Sequence, residues 1–465
     1  MKKAAQILIT LFTALTAYGQ DISGQWNGVM DVQGVKLRVG FNITKTETGY
    51  VSTMDSPDQG RMGIPLPSTS FKNFTLKIEY AEANIQYEGH LNKENVFEGK
   101  FSQGGQNFPL NLSRAKAKLK PVRPQEPKAP FPYYTEDVTF ENTKDKIVLA
   151  GTLTLPKKDG NFPALVLITG SGPQNRDEEI FGHKPFLLLA DYLTRSGIAV
   201  LRFDDRGVAA SKGNYETATT LDFSYDVESA VNYLKTRKEI NKKKLGLIGH
   251  SEGGQIAPMI AARSADIDFI VMLAGPGLPG DQLLLLQGEF IGRSSGLNEA
   301  SVRINQTISA GAYEIVKRST TTDALKTELT NYLNQAFSGQ EGAEKPPASE
   351  LAKVVTTQVN QLASPWLLYF IKLDPSVALG KVKCPVLALG GSNDLQVPAK
   401  ANLATIKLAL EKGGNKNVTT IEFPGLNHLF QESKTGLKEE YGKIEQTMSP
   451  LVLEAVSKWI KKQVD

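Results

Sequence analysis

Six short runs of apolar residues beyond residue 135 constrain the fold more than any other feature. They are Ala164–Thr169, Ile198–Phe203, Leu245–Ile248, Phe269–Leu273, Val386–Leu389 and Thr419–Phe423. The runs largely lack the alternation of a half-exposed strand, so both faces of each strand are expected to be buried. Amphipathic stretches separate them, including the stripe Phe223, Val227, Ala230, Val231 and Leu234. This order predicts a doubly wound, mostly parallel α/β sheet over residues 135–465.

The first part of the chain has a different pattern. Apolar and polar residues alternate from Val35 to Ile43, and again around Ile78, Tyr87 and Leu110, with Gly and Asn clusters between these stretches. Alternation with period two is typical of half-buried antiparallel strands. Residues 20–114 are therefore predicted to form a small all-β accessory domain, a barrel or a sandwich, for which no catalytic role is evident.

Two segments interrupt these patterns. Residues 115–134 are rich in proline, which fixes φ and removes a backbone donor, so they are predicted to form a semi-rigid linker. Residues 278–379 have helical patterns and no clear strand. An insertion at this point of the sheet should lie over the carboxyl ends of the strands, where such folds bind ligands. This insertion is therefore predicted to be a helical cap.

The first 19 residues have the pattern of a secretory signal. Lys2 and Lys3 precede an apolar stretch that ends at Ala17, and Ala17-Tyr18-Gly19 offers small residues for cleavage. The mature chain is expected to begin near Gln20 and to reside in the periplasm or outside the cell. No later stretch of about 20 residues is free of charge, so no membrane span is expected.

One short motif suggests a nucleophile. Gly249-His250-Ser251-Glu252-Gly253 follows an apolar run and precedes a helical stretch. In a tight turn from strand to helix, a serine is exposed and the glycines avoid clashes. The motif alone is weak, because a glycine-rich chain can produce it by chance. Its position makes Ser251 the candidate nucleophile.

A serine hydroxyl needs a base, and the base needs a carboxylate to hold its tautomer. The chain has four histidines, and His428 follows the last predicted strand. Asp394 follows the penultimate strand, so the residues occur in the order Ser251, Asp394, His428. His250 and His183 are predicted to be ordinary structural histidines, His250 because it should point away from its neighbour Ser251.

Two backbone N–H groups are expected to form an oxyanion hole. One is that of Glu252, and the other is assigned to Ser171 in the loop Gly170-Ser171-Gly172-Pro173, which follows the first apolar run. Charged residues in Asn175–Glu178 are predicted to fix this loop, with substrate contact as the alternative. Asp204–Gly207 is predicted to be structural, with Arg206 paired to a carboxylate beneath the site.

These stretches together resemble bacterial two-domain carboxylesterases of the α/β-hydrolase superfamily, close to its serine aminopeptidase branch. The resemblance rests on Gly170–Glu178, Phe203–Gly207, Gly249–Gly254, Gly391–Asp394 with Gln396–Pro398, and Asn427-His428. It implies a serine esterase with Ser251, Asp394 and His428 as the triad and residues 278–379 as the cap. The oxyanion loop departs from the His-Gly-Gly-Pro-Gly of prolyl aminopeptidases, which weakens a peptidase interpretation.

The expected activity is hydrolysis of small carboxylic esters through an acyl-enzyme, without metal or cofactor. An aminopeptidase or amidase with the same triad is the first alternative; it would need a cap carboxylate to bind the amine, and Glu289 and Glu314 are candidates. The second is a binding protein whose β domain holds a surface glycan or lipid.

The charge and the cysteine content limit which partners and which covalent cross-links are expected. Lys and Arg total 53 against 49 Asp and Glu, a net charge of +4 that gives no reason to expect a nucleic-acid partner. The single cysteine, Cys384, excludes an internal disulfide. The sequence does not indicate an oligomeric state.

Overall fold

The computed structural model describes residues 21–32, 35–59, 61–114, 123–338 and 348–465. The chain divides into two compact units, Met1–Lys118 and Leu119–Asp465. The predicted signal, residues 1–19, lies outside the described residues and stays a prediction. The predicted linker, residues 115–134, is only partly described. From Arg123 onward it belongs to the second unit, because the Arg123 guanidinium donates to the carbonyls of Phe181, Gly442 and Ile444.

Within its described residues, the first unit contains strands and two short 3₁₀ turns, at Pro57–Gln59 and Ala81–Ala83. Its described strands are β1 (Gly24–Val32), β2 (Val35–Thr46), β3 (Gly49–Ser56), β4 (Arg61–Leu66), β5 (Ser68–Lys72), β6 (Thr75–Tyr80), β7 (Ile85–Leu91), β8 (Val96–Gln103), β9 (Gln106–Pro109) and β10 (Leu112–Ser113). The predicted alternating stretches correspond to β2, β6 and β7 and to the region of β9 and β10. The all-β character predicted for this region is therefore confirmed.

The sheet of the first unit curves around an apolar core. Its order is β4-β3-β2-β1-β10-β8-β7-β6-β5, with β9 paired to β8, and all pairs are antiparallel. Ser52 on β3 and Thr69 on β5 share a 2.7 Å hydrogen bond although their strands lie near opposite ends of this order. The sheet therefore bends back on itself, and Trp26, Phe41 and Phe97 are buried inside it.

The second unit is built on one eight-stranded sheet. Its strands are β11 (Tyr134–Asn142), β12 (Ile147–Leu155), β13 (Phe162–Ile168), β14 (Ala199–Phe203), β15 (Ile240–His250), β16 (Phe269–Leu273), β17 (Val386–Gly391) and β18 (Val418–Phe423). Their order is β11-β12-β14-β13-β15-β16-β17-β18; β11 and β12 pair antiparallel, and the pairs from β14 onward are parallel. The carboxyl ends of the parallel strands thus meet at one edge.

Helices cover both faces of this sheet. They are α1 (Pro185–Arg195), α2 (Thr220–Thr236), α3 (Glu252–Ala261), α10 (Ala399–Lys412), α11 (Lys438–Tyr441) and α12 (Pro450–Val464). Residues of α2, α3 and α10 form one core with the sheet, and residues of α1 and α12 form another. Neighbouring residues Leu165 and Val166 belong to different cores. Because both faces of the sheet are buried, its strands appear in the sequence as continuous apolar runs.

In the described part of the segment between β16 and β17, six helices are present. They are α4 (Gly280–Ser294), α5 (Glu299–Arg318), α6 (Thr322–Ser338), α7 (Ala348–Leu362), α8 (Pro365–Lys372) and α9 (Pro375–Leu379), and we call them the cap. Residues of α4 to α8 form a separate apolar cluster around Leu283, Val316 and Leu329. The cap therefore has its own core in addition to contacts with the helices α2, α3 and α10.

Candidate active site

Ser251 lies at the turn between β15 and α3 in a strained backbone conformation. Its φ is +50° and its ψ is −118°, values that an L-residue rarely adopts. The turn is tight because a Cβ at Gly249 would lie 1.9 Å from the carbonyl oxygen of Gly253. A Cβ at Gly253 would lie 2.2 Å from the carbonyl oxygen of Ile168. Both glycines are thus required for the turn that presents Ser251 at the carboxyl edge of the sheet.

Asp394 and His428 meet in the loops that follow β17 and β18. Nδ1 of His428 lies 2.8 Å from Oδ2 of Asp394, and both side chains are buried. Oδ1 of Asp394 accepts hydrogen bonds from the N–H groups of Gln396 and Val397, at 2.8 and 2.9 Å. A carboxylate held in this way fixes the proton of His428 on Nδ1 and leaves Nε2 free to act as a base.

These residues occur in the chain order Ser251, Asp394, His428, each in the turn or loop that follows a parallel strand. A strained serine turn with that order is typical of the α/β-hydrolase superfamily, which this chain resembles. Ser251 Oγ makes no hydrogen bond with any residue that the structure describes. Without substrate, the contact between serine and histidine is often long and shortens on binding.

The oxyanion loop, Gly170–Gly172, is held on both sides of Ser171. The N–H of Gly170 donates to Oε1 of Glu178 at 2.7 Å, and the N–H of Gly172 donates to the hydroxyl of Tyr215 at 2.8 Å. Among the described residues, no acceptor takes the N–H of Ser171 or that of Glu252. Both N–H groups predicted for the oxyanion hole therefore remain available to a ligand.

Buried ion pairs support the loop from below. Asp205 accepts from the hydroxyl of Thr169 at 2.7 Å and from the N–H of Gln174 at 2.9 Å. Arg176 is paired with Asp204 at 2.7 Å, and Arg206 with Asp226 at 2.7 Å. Asp205 and Asp204 thus hold Gln174 and Arg176, which follow the oxyanion loop, and Arg206 is paired with a carboxylate.

The side chain of Glu252 was not predicted to have a role, yet it links the nucleophile turn to the cap. It is 3% exposed, and its Oε1 accepts from the hydroxyl of Thr220 at 2.7 Å and from the indole N–H of Trp366 at 2.8 Å. Burial raises the pKa of Glu252, whereas the two hydrogen bonds lower it. Trp366 belongs to α8, so the cap reaches the residue beside Ser251. No spacing rule connects positions 252 and 366 in the sequence.

The two histidines that were predicted to be structural have different surroundings. His183 is fully buried and bonds Tyr441 O and Thr447 Oγ1, at 2.9 and 3.0 Å. The ring of His250 lies 4.8 Å from the ring of His428. His250 thus lies beside the predicted catalytic base. In the sequence, its position next to Ser251 was the only indication that it could lie near the site.

Among the described residues, no cluster of three or more His, Cys, Asp or Glu side chains could hold a metal ion. Within the same residues, no helix is long and apolar enough to cross a membrane. Cys384 is largely buried, and burial raises the pKa of its thiol to about 12.

Several known proteins are similar to this chain. A family model described as BAAT / Acyl-CoA thioester hydrolase C terminal matches residues 221–335, which include Ser251. Esterase EstD of Thermotoga maritima is 29% identical over 338 residues, covering 71% of this chain and 70% of that protein. Human acyl-coenzyme A thioesterase 1 is 29% identical over 160 residues, 34% of each protein. Among solved structures, an esterase of Pyrococcus furiosus shares 14% identity with a TM-score of 0.43, covering 72% of this chain and 92% of its own.

The sequence match to EstD supports the predicted resemblance to carboxylesterases. The sequence similarity to EstD extends over most of both chains. The family model contains the strained Ser251 turn but ends before Asp394 and His428. The enzyme class that the site and these matches support is therefore a carboxylic ester hydrolase.

Proposed function

We propose that this chain hydrolyses carboxylic esters by two acyl transfers through Ser251. In the first, Ser251 Oγ attacks the ester carbonyl while Nε2 of His428 takes the hydroxyl proton. The N–H groups of Ser171 and Glu252 donate to the oxyanion as it forms. His428 then protonates the leaving alcohol, and the acyl group stays on Ser251.

The second transfer releases the acid. His428 takes a proton from water, which attacks the acyl carbonyl, and then returns a proton to Ser251 Oγ. The observation that carries the proposal is the strained Ser251 turn at the sheet edge, in one fold with the 2.8 Å pair of His428 and Asp394. A backbone strain of this kind is retained where it serves a function.

Initial rates on p-nitrophenyl esters, from acetyl to long acyl chains, test the proposal. Wild type should turn over at least one ester, and Ser251→Ala should lower kcat by a factor on the order of 10⁴ to 10⁶. The acyl length with the largest kcat/KM would then measure the acyl pocket. An active Ser251→Ala enzyme would exclude Ser251 as the nucleophile.

A thioesterase is a second candidate, because the family model that includes Ser251 carries acyl-CoA thioester hydrolases in its name. The same acyl transfer chemistry applies to a thioester, with a thiolate as the leaving group. Release of coenzyme A from acyl-CoA, measured with a thiol reagent beside the matching p-nitrophenyl ester, compares the two substrates. A higher kcat/KM for acyl-CoA would make thioesters the substrate class.

The aminopeptidase alternative has less support. Its two candidate cap carboxylates already have cationic partners, since Glu289 pairs with Arg293 and Glu314 pairs with Lys317. Both carboxylates would have to exchange these partners for a substrate amine. Aminoacyl p-nitroanilides in the same panel test this point, and turnover of anilides without esters would favour the alternative.

We also propose that the chain is exported, on the strength of the sequence pattern of residues 1–19. Expression of the full chain in a bacterium, followed by mass analysis of the purified protein, tests the proposal. A mature chain that begins near Gln20 in the periplasmic or extracellular fraction is expected. An uncleaved chain that stays in the cytoplasm would contradict it.

A further inference from the structure

Glu178 and His250 form a buried pair behind the nucleophile turn. Glu178 is 3% exposed and His250 is 7% exposed. Nδ1 of His250 lies 2.9 Å from Oε1 of Glu178, and Nε2 of His250 lies 2.9 Å from the backbone carbonyl oxygen of His428. One side chain thus contacts both an acid from the loop after β13 and the backbone of the predicted base.

The two partners of His250 determine its charge. A backbone carbonyl can only accept a hydrogen bond, and so can an ionised carboxylate. With Glu178 ionised, both ring nitrogens of His250 carry a proton, so the ring is an imidazolium and Glu178 is its counterion. Burial lowers the pKa of His250, but the charge of Glu178 and the hydrogen bonds to Glu178 and His428 outweigh it and raise the pKa overall.

The same carboxylate oxygen also holds the oxyanion loop. Oε1 of Glu178 accepts from the N–H of Gly170 at 2.7 Å, directly before Ser171. A Cβ placed on Gly170 would lie 3.2 Å from Cβ of Ser251, 3.3 Å from Oε1 of Glu178 and 3.5 Å from Nδ1 of His250. The oxyanion loop, the nucleophile and the ion pair therefore meet around one glycine.

We propose that Glu178 and His250 are positioning residues, whose buried ion pair ties the oxyanion loop at Gly170 to the backbone of the catalytic base at His428. The inference rests on the proposed hydrolase function and adds two residues to it. Neither residue contacts the substrate. Their role is to hold the oxyanion donors and the base at a fixed separation, on which the rate of acyl transfer depends.

In these buried surroundings, the charge of Glu178 and the charge of His250 stabilise each other. Asp394 and His428 are the other titratable groups that face His250, and the remaining wall is apolar, with Phe186, Leu273 and Phe430. A charge left alone in such a site is strongly disfavoured. Loss of Glu178 should therefore drive a proton off His250, which then lacks one of its two hydrogen bonds.

Kinetics of variants in the full chain test the role. Glu178→Ala should lower kcat on an ester by about 10- to 100-fold with KM changed less than about threefold, because donors and base lose their alignment. Glu178→Gln keeps an oxygen that can accept from the N–H of Gly170 but removes the counterion of His250, so kcat should lie between the values for Glu178→Ala and wild type. The exposed neighbour offers a matched control, Glu179→Ala, which should leave kcat unchanged.

Active-site titration with a phosphonate separates positioning from loss of folded enzyme. In Glu178→Ala, the kcat calculated per titrated serine should fall by the same factor as the kcat calculated per total enzyme. If kcat per titrated serine equals that of wild type, the pair only stabilises the fold, and the positioning role is overturned.

The ion pair has a test that does not depend on activity. The chain has four histidines, so ¹⁵N labelling of their rings gives few signals. One ring should keep both protons over a pH range above the ordinary histidine pKa, and its signals should be missing from His250→Asn. A singly protonated His250 in this range would overturn the pair. If the imidazolium is present but wild type cleaves no ester, the proposed function fails, and with it the positioning role.

Discussion

At the scale of single residues, the site depends on proton positions that hydrogen bonds fix. Asp394 accepts from His428 and from two backbone N–H groups, so its own orientation is determined. An acceptor at this place keeps the proton of His428 on Nδ1. A donor there would favour the other tautomer and place a proton on the nitrogen that has to act as the base.

Asp394→Asn tests this dependence. The amide can donate to Nδ1 of His428, so kcat on an ester should fall by a factor on the order of 10⁴, while the shape of the site is kept. Steady-state kinetics beside a thermal melt measures both quantities. Asp323→Asn, a change at an exposed position on cap helix α6, is the control. A variant Asp394→Asn within tenfold of wild type would show that the carboxylate is not needed.

His183 gives a prediction for stability and pH. Its ring is fully buried, and burial lowers its pKa from about 6.5 to about 4. The unfolded chain therefore binds a proton at His183 between these values while the folded chain does not, so acid favours unfolding. Each pH unit in this interval should reduce the free energy of unfolding by about 1.4 kcal/mol.

Urea unfolding of the catalytic unit at pH 7 and pH 5 measures this effect. His183→Gln should lose less stability than wild type between these two pH values, by about 2 kcal/mol, because the titrating group is gone. Equal pH dependence in wild type and His183→Gln would contradict the assignment.

At the scale of elements, the turn between β15 and α3 places the nucleophile. Its glycines allow backbone atoms to approach more closely than a Cβ would permit. Gly249→Ala would set a methyl group against the carbonyl of Gly253, which is backbone and cannot move aside. We expect this variant to lose soluble, active enzyme.

A control for that substitution is available in the cap. Gly288 lies inside α4, where a Cβ would meet only the side chain of Gln306 at 3.5 Å. Gly288→Ala should be active and more stable, by up to about 1 kcal/mol, since alanine is the better helix former. Thermal melts and ester kinetics of the two variants give the comparison. Full activity in Gly249→Ala would contradict the packing of the turn.

The sequence predicted this part of the fold well where the signal was local. Apolar runs located the strands, and the motif at Ser251 and the loops at Asp394 and His428 indicated the site. β15 was predicted from Leu245, but it begins at Ile240, because the polar residues before Leu245 hide its first part. The bonds of His250 to Glu178 and of Glu252 to Trp366 span 72 and 114 positions. Contacts between such distant residues leave no periodic pattern that a single sequence can show.

At the scale of the whole molecule, the two units have separate cores. Trp26, Phe41 and Phe97 belong to the core of the first unit, and every predicted site residue belongs to the second. A unit with its own core can fold alone. The β-rich unit can therefore have a separate task, and binding of a surface glycan or lipid remains a hypothesis for it.

Removal of the first unit tests this separation. A chain of residues 119–465 should keep kcat and KM for a small ester within about threefold of the full chain, because no site residue is lost. Residues 21–114, produced alone, can be applied to a polysaccharide column to test for a binding role. A truncated enzyme that is folded but inactive would show that the first unit completes the site.

The central claim is that Ser251 carries the acyl group. An aryl phosphonate, which reacts with an activated serine and stays attached, followed by peptide mass analysis, tests it most directly. We expect one adduct, on the peptide that contains Ser251, with loss of ester turnover in proportion to labelling and no labelling of Ser251→Ala. An adduct at another residue, or ester turnover that persists after Ser251 is fully labelled, would contradict the account.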